Sequence, residues 1–101
     1  MSAIHINKDN FNSEVVNSDK KVLLDFWAPW CGPCRRVVPL VEEIAEERSD
    51  IKVGKVNVEE QPEPARQFGV KSIPMLVVMK DGEVIKRSVG AKNKSAILAM
   101  L

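Results

Sequence analysis

Both cysteines of this 101-residue chain stand in one five-residue stretch, Trp30-Cys31-Gly32-Pro33-Cys34, set between an apolar run and an amphipathic one. Before it, Lys21 to Trp27 reads as a strand. Val22, Leu23, Leu24, Phe26 and Trp27 form a nearly unbroken apolar run, which suits a parallel strand covered on both faces. After it, Val37, Leu40, Val41, Ile44 and Ala45 recur at helical spacing, predicting a helix from the cysteine turn to about Arg48. Pro39 lies inside that pattern; because the stripe continues past it, a kink is expected rather than an early end. Ile51 to Val58 is a further strand. Strand, helix and strand make a βαβ unit, whose crossover is right-handed and whose strands are parallel. The fold class is therefore α/β.

The flanking sequence adds elements around this unit. Ala3 to Ile6 reads as a short strand, and Asn7 or Asp9 can cap a helix carrying Phe11, Val15 and Val16 inward. Between Gln61 and Gly69 the prolines Pro62 and Pro64 interrupt regularity, leaving a short helix over Ala65 to Phe68. Met75 to Met79 and Val84 to Val89 are strands joined around Asp81-Gly82, a strong hairpin signal. Asn93 can cap a final helix with Ile97, Met100 and Leu101 on one face, too short to stand without docking on the sheet. The length predicts one domain over residues 1–101, and no repeat or low-complexity segment interrupts it.

Composition narrows the function. The formal charge is +1, from 15 bases and 14 acids, with no basic block for nucleic acid and no acidic tail. Met1 to Asn10 lacks the apolar centre of a secretory leader. The longest aliphatic run, Met75 to Met79, is far too short to span a bilayer. No nucleic-acid or membrane partner is expected, and the cytoplasm is the default location. Thiols are kept reduced there, so a lone cysteine pair points to catalysis or metal binding before a structural staple. Two cysteines and a distant His5 fall short of the usual four zinc ligands, so metal is the weaker reading; His5 reads as a surface residue.

The pair has the spacing for redox work. At i and i+3 on a starting helix, the Cβ atoms of Cys31 and Cys34 would lie roughly 5–6 Å apart. A disulfide wants about 3.5–4.5 Å, so a small tightening of the turn closes it. Pro33 suits an early helix position, where an N–H would have no intrahelical partner, and Gly32 lets another backbone approach the sulfurs. A helix N-terminus favours an anion, and thiolate is the reactive form. Arg35 and Arg36 follow with positive charge, while Glu42, Glu43, Glu46 and Glu47 crowd the far end. That order is backwards for helix stability and correct for holding a thiolate at Cys31. The competing reading makes both arginines solvated surface.

The sequence resembles the thioredoxin family over essentially its whole length. The resemblance rests on Asp25-Phe26-Trp27-Ala28 leading into Trp30-Cys31-Gly32-Pro33-Cys34, then Pro39, Lys55, Ile73-Pro74, Asp81-Gly82-Glu83-Val84 and Gly90. It implies a central five-stranded mixed sheet flanked by four helices. It also implies a protein disulfide reductase and electron carrier, with Cys31 as attacking nucleophile and Cys34 as resolving thiol. Such a protein binds no cofactor itself and works as a monomer on disulfide-containing target proteins. It is recycled by thioredoxin reductase, through which NADPH and flavin act indirectly. Ser72, Met75 and the short final helix depart from the family pattern.

The resemblance also changes how single residues read. By pattern alone Asp25 is an exposed strand-end carboxylate and Lys55 a solvated lysine. In the family the matching Asp is buried behind the dithiol and moves protons for the second cysteine, with Lys55 as its neighbour. The family's flat apolar contact surface corresponds to Trp30, Gly32, Pro33, Val58, Ile73, Pro74, Val89, Gly90 and Ala91. The matching proline is cis, so Ile73-Pro74 is expected to be cis and to face the dithiol, leaving Ile73 able to pair with an extended target peptide. Core packing is the alternative for Val58 and Val89, and Trp27 is expected beneath the site. Two other functions remain open: a disulfide oxidase or isomerase, and a binding module using the same face with an idle dithiol.

Overall fold

The computed structural model describes residues 2–101. Five strands form one sheet in the order β1-β3-β2-β4-β5: β1 is Ile4–His5, β2 Lys21–Trp27, β3 Ile51–Asn57, β4 Met75–Lys80 and β5 Glu83–Val89. β1, β2 and β3 run parallel, while β4 is antiparallel to β2 and β5 antiparallel to β4. The helical segments are a π-helical turn at Asn12–Val16, α1 at Cys34–Glu47, α2 at Pro62–Gln67 and α3 at Lys94–Leu98. A mixed five-stranded sheet with four flanking helical segments is thus what the chain forms.

β2 lies at the centre with both faces covered, as its apolar run requires. Strand alternation sends Leu23 to one face, where it meets Val37, Val41 and Ile44 of α1 and Ile97 of α3. Val22, Leu24 and Phe26 go to the other, where they meet Phe11, Val15 and Phe68. The first face matters most here, because Asp25 follows Leu23 on it and α1 begins at the second cysteine.

Several boundaries differ from the sequence reading, each for a local reason. Asn7 caps a turn rather than a helix: its Oδ1 accepts the N–H groups of Asp9 at 2.8 Å and Asn10 at 3.0 Å. Helical winding starts only at Asn12, and it carries Phe11 and Val15 inward but not Val16. Val16 ends that turn beside Gly82 of the β4–β5 hairpin and stays exposed. Pro62 and Pro64 do not interrupt α2; they start it, since Pro62 stands at its first position, where a missing N–H costs nothing. α1 begins at Cys34, not at Cys31, and continues unbroken through Pro39.

Other expectations are met. Asp81 and Gly82 both take positive φ, 53° and 78°, as a two-residue hairpin turn needs. Asn93 Oδ1 accepts the N–H of Ala96 at 2.9 Å and caps α3. Lys94 then ties α3 to α1, donating to Glu43 at 3.0 Å and to both carboxylate oxygens of Glu47 at 2.6 and 2.8 Å. Two of the four acids that are misplaced for the dipole of α1, Glu43 and Glu47, are thereby answered from another helix.

Gly54 is needed for close approach. It pairs with Ile4 on one side and Leu24 on the other. A Cβ there would lie 2.7 Å from Ile6 Cγ1 and 3.1 Å from Leu24 Cδ2. Gly54→Ala is expected to destabilise the protein by about 1–3 kcal/mol, as overpacking does. Urea titration should show a lower midpoint with an unchanged slope.

Candidate active site

β2 ends at Trp27, and the chain turns through Ala28 to Pro33 before entering α1. Pro33 already has helical dihedrals, φ −61° and ψ −29°, at the N-cap. The N–H groups of Arg35 and Arg36 bond back to the carbonyls of Gly32 and Pro33, so the first turn is tight. Cys31 and Cys34 are joined by a disulfide, with Cα atoms 5.3 Å apart. The N–H of Cys34 points at Cys31 Sγ from 3.2 Å. Cys31 therefore stands just outside the helix, with its sulfur against the free amide end.

Exposure separates the two sulfurs only slightly. Cys31 is 4% exposed and Cys34 1%. Cys31 is thus more enclosed than an openly accessible nucleophile. Its sulfur lies 3.8 Å from the carbonyl oxygen of Ile73. Arg35 donates from Nη2 to the Pro29 carbonyl at 3.3 Å, anchoring its charge on the cysteine loop, and Arg36 is exposed.

The residues expected to form a contact surface differ in their exposure. Trp30 at 64% and Val89 at 59% exposure are large apolar groups left open, and Gly32, Pro33 and Ala91 are exposed beside them in the chain. Val58 and Ile73 are half-buried and pack on the cysteines with Trp27 and Ala28. Pro74 is buried, and the Ile73-Pro74 bond is cis. The N–H of Gly90 bonds to the Pro74 carbonyl at 2.8 Å, which carries the end of β5 to the site. Trp30 Nε1 donates to Glu59 at 2.7 Å, a partner the sequence reading did not name.

Asp25 follows Leu23 on the sheet face that α1 covers. It is 0% exposed, and neither carboxylate oxygen has a hydrogen-bond partner among the described residues. Burial raises its pKa from 3.8 to about 7, against the opposing pull of the Lys55 charge. Lys55 is its register partner on β3 and is itself buried. The exposed strand-end reading of Asp25 and the solvated reading of Lys55 both fail against this burial. Lys55 donates to Glu42 Oε2 at 2.8 Å, and the other oxygen of Glu42 accepts the N–H of Ala3 at 2.6 Å. Partial burial works to raise the Glu42 carboxyl, but those two hydrogen bonds and the charges of Lys55 and His5 outweigh it and hold it below its usual value.

Glu42 and Glu59 are the functional candidates the sequence reading missed. Glu42 was counted only as one of four acids late in α1. Its signal was its place next to Val41 on the edge of the buried stripe, where a buried lysine would find its anion. Among the described residues no group of three or more His, Cys, Asp or Glu is arranged to hold a metal ion, and no helix is long and apolar enough to cross a membrane.

Residues 2–101 match the family model described as Thioredoxin. Thioredoxin of Mycobacterium tuberculosis is 50% identical over 101 residues, which cover 99% of this chain and 87% of that protein. Thioredoxin of Porphyra purpurea is 47% identical over 102 residues, covering 100% of this chain and 95% of its own. Thioredoxin 1 of a Nostoc species is 47% identical over 97 residues, covering 95% of this chain and 91% of its own.

Proposed function

The chain belongs to the thioredoxin family and carries out dithiol/disulfide exchange as a protein-disulfide oxidoreductase, and we propose that it runs in the reducing direction with Cys31 attacking and Cys34 resolving. The observation that carries this reading is the bonded pair at the start of α1, with the Cys34 N–H aimed at Cys31 Sγ. Once the disulfide is opened, that N–H and the positive end of the helix stabilise an anion on Cys31.

The reaction follows from the geometry. Cys31 thiolate attacks one sulfur of a target disulfide; that S–S bond breaks and the other target sulfur leaves as thiolate. Cys34 then loses its proton and attacks Cys31 Sγ. The bond between Cys31 and the target breaks, the target is released with both sulfurs reduced, and the Cys31–Cys34 disulfide remains. Two electrons have passed to the target. Asp25 is the proposed acceptor of the Cys34 proton, directly or through water, because a carboxyl with a pKa of about 7 is a usable base near neutrality. Lys55 tunes it.

Target recognition is assigned to Trp30, Gly32, Pro33, Val58, Ile73, Pro74, Val89, Gly90 and Ala91. A peptide lying extended along Ile73 would bring its disulfide to Cys31, since the Ile73 carbonyl already faces that sulfur. The flat, open apolar surface of Trp30 and Val89 supports binding of varied protein targets rather than one small molecule. The oxidised form must be returned to dithiol, and a flavin-containing thioredoxin reductase drawing on NADPH is the proposed donor. The proposed setting of that cycle is the cytoplasm, with the protein acting as a monomer that has no cofactor of its own.

The test is NADPH consumption in a mixture of this protein, a thioredoxin reductase and insulin. Steady oxidation that scales with the amount of protein is expected. A protein that neither accepts electrons from any reductase nor reduces insulin after chemical reduction is not a disulfide reductase.

A further inference from the structure

Asp25 and Lys55 are register partners on adjacent strands and point to the same sheet face, yet they are not hydrogen-bonded. The Lys55 ammonium is instead engaged by Glu42 from the overlying helix α1, at 2.8 Å. We propose that Glu42 is a positioning residue for proton transfer at Asp25: its carboxylate holds Lys55, so that the cation acts on Asp25 from a distance instead of pairing with it. The inference rests on the reading of Asp25 as proton acceptor and extends it to the residue that keeps it a base.

Three observations carry it. Both oxygens of Glu42 are committed, one to Lys55 and one to the Ala3 N–H, so the carboxylate is fixed between α1, β3 and the segment entering β1. Lys55 is buried as a residue, and its ammonium is paired with the Glu42 carboxylate at 2.8 Å, as a largely enclosed charge needs. Among the described residues, Glu42 is the anion it meets and Asp25 is its register partner on this face. Were Lys55 to pair with Asp25, that carboxylate would be ionised well below neutral pH and would take up a proton poorly. The competition is therefore decisive for the step in which the Cys34 S–H bond breaks, the proton goes to Asp25 and the electron pair stays on sulfur for attack on Cys31.

The charges facing this group are few. β3 contributes Lys55, α1 contributes Glu42, and β1 contributes His5, which acts on Glu42. β4 places Leu76 opposite Asp25, and α3 brings Ile97 to this face, neither of them charged. Removing the negative charge at Glu42 acts on Asp25 twice in the same direction. It takes away a neighbouring anion, and it frees Lys55 to approach.

The experiment follows the Asp25 carboxyl carbon by NMR through a pH titration of the oxidised protein, which requires no activity. The parent is expected to titrate near neutrality. Glu42→Gln, whose amide oxygen can still accept the Ala3 N–H, is expected to lower the Asp25 midpoint by about one pH unit. The same substitution in a Lys55→Met background should produce only a fraction of that change, because the effect runs through Lys55. A role confined to stability would lower the melting temperature of Glu42→Gln and leave the midpoint in place. Should Glu42→Gln fail to fold, Glu42→Asp, which keeps the charge and loses reach, is expected to move the midpoint downward by a smaller amount. An unchanged or raised midpoint in the folded variant overturns the inference, as does a shift that persists undiminished without Lys55. If the parent itself titrates as an ordinary carboxylate, the reading of Asp25 fails first, so the two failures are told apart.

Discussion

Cys31→Ser is expected to abolish insulin reduction, lowering NADPH consumption to the background of the reductase alone. A serine hydroxyl at that position is not ionised near neutral pH and cannot attack a target sulfur. Cys34 is not expected to take over, because it stands within the first turn of α1 rather than outside it. The substitution is nearly isosteric, so loss of activity should come with an intact fold. Cys34→Ser should behave differently. Its Cys31 keeps the helix end and the facing N–H, so the first exchange proceeds, but nothing displaces the target. A mixed disulfide should accumulate, seen on a non-reducing gel as a band at the summed mass of protein and target and lost on adding dithiothreitol. Turnover by Cys31→Ser, or release of target from Cys34→Ser without added thiol, would reverse the assigned roles.

Asp25→Asn should change both stability and kinetics, with a dependence on pH set by the raised carboxyl. The sign follows from proton counting. Asp25 has a pKa of 3.8 in the unfolded chain and about 7 in the fold. Between those values the native state holds a proton that the unfolded state has lost, so stability falls as pH rises through that window and is level above it. Each pH unit is worth about 1.4 kcal/mol, so the native protein carries a cost of up to about 4 kcal/mol above pH 7 from this one group. The asparagine amide removes the charge and keeps the shape. At pH 8 the variant is expected to be more stable than the parent by a large part of that amount, and near pH 4 by little. Urea midpoints at pH 4, 6 and 8 check this; parallel pH curves would mean Asp25 is not a buried, near-neutral acid. The kinetic consequence is slower release of target from the mixed disulfide, by about 10²-fold, the low end for a positioned base. The rate should also lose its rise between pH 6 and 8. Unchanged release across that range would remove Asp25 from the mechanism.

The pairing of gained stability with lost rate reflects how the site is built. A buried carboxylate without a hydrogen-bond partner is poor design for a stable core. On the proposed reading it persists because the proton of Cys34 needs an acceptor at this buried place. Glu42 and Lys55 belong to the same proposed arrangement, in which Glu42 engages the ammonium at 2.8 Å and the carboxylate of Asp25 is left without it.

Much of this was legible in the residues. The run from Val22 to Trp27, the stripe from Val37 to Ala45 and the Asp81-Gly82 turn each state a local geometry, because strand and helix periods are written directly in side-chain spacing. The dithiol states its own chemistry, since two sulfurs three positions apart at a helix start have few other uses. The prolines of α2 and the exposed Val16 were misread for one reason: whether a proline opens or ends a helix, and which valine turns outward, depends on neighbours that local pattern does not contain.

What the chain order settled was the α/β plan and the redox pair. What only the folded molecule decided was which charges meet. Glu42 reaches Lys55 across 13 positions, Lys94 reaches Glu43 and Glu47 from another helix, and Glu59 holds Trp30. Period fixes the direction of a side chain, but its partner is set by strand register and helix docking, and those are properties of the whole core acting together.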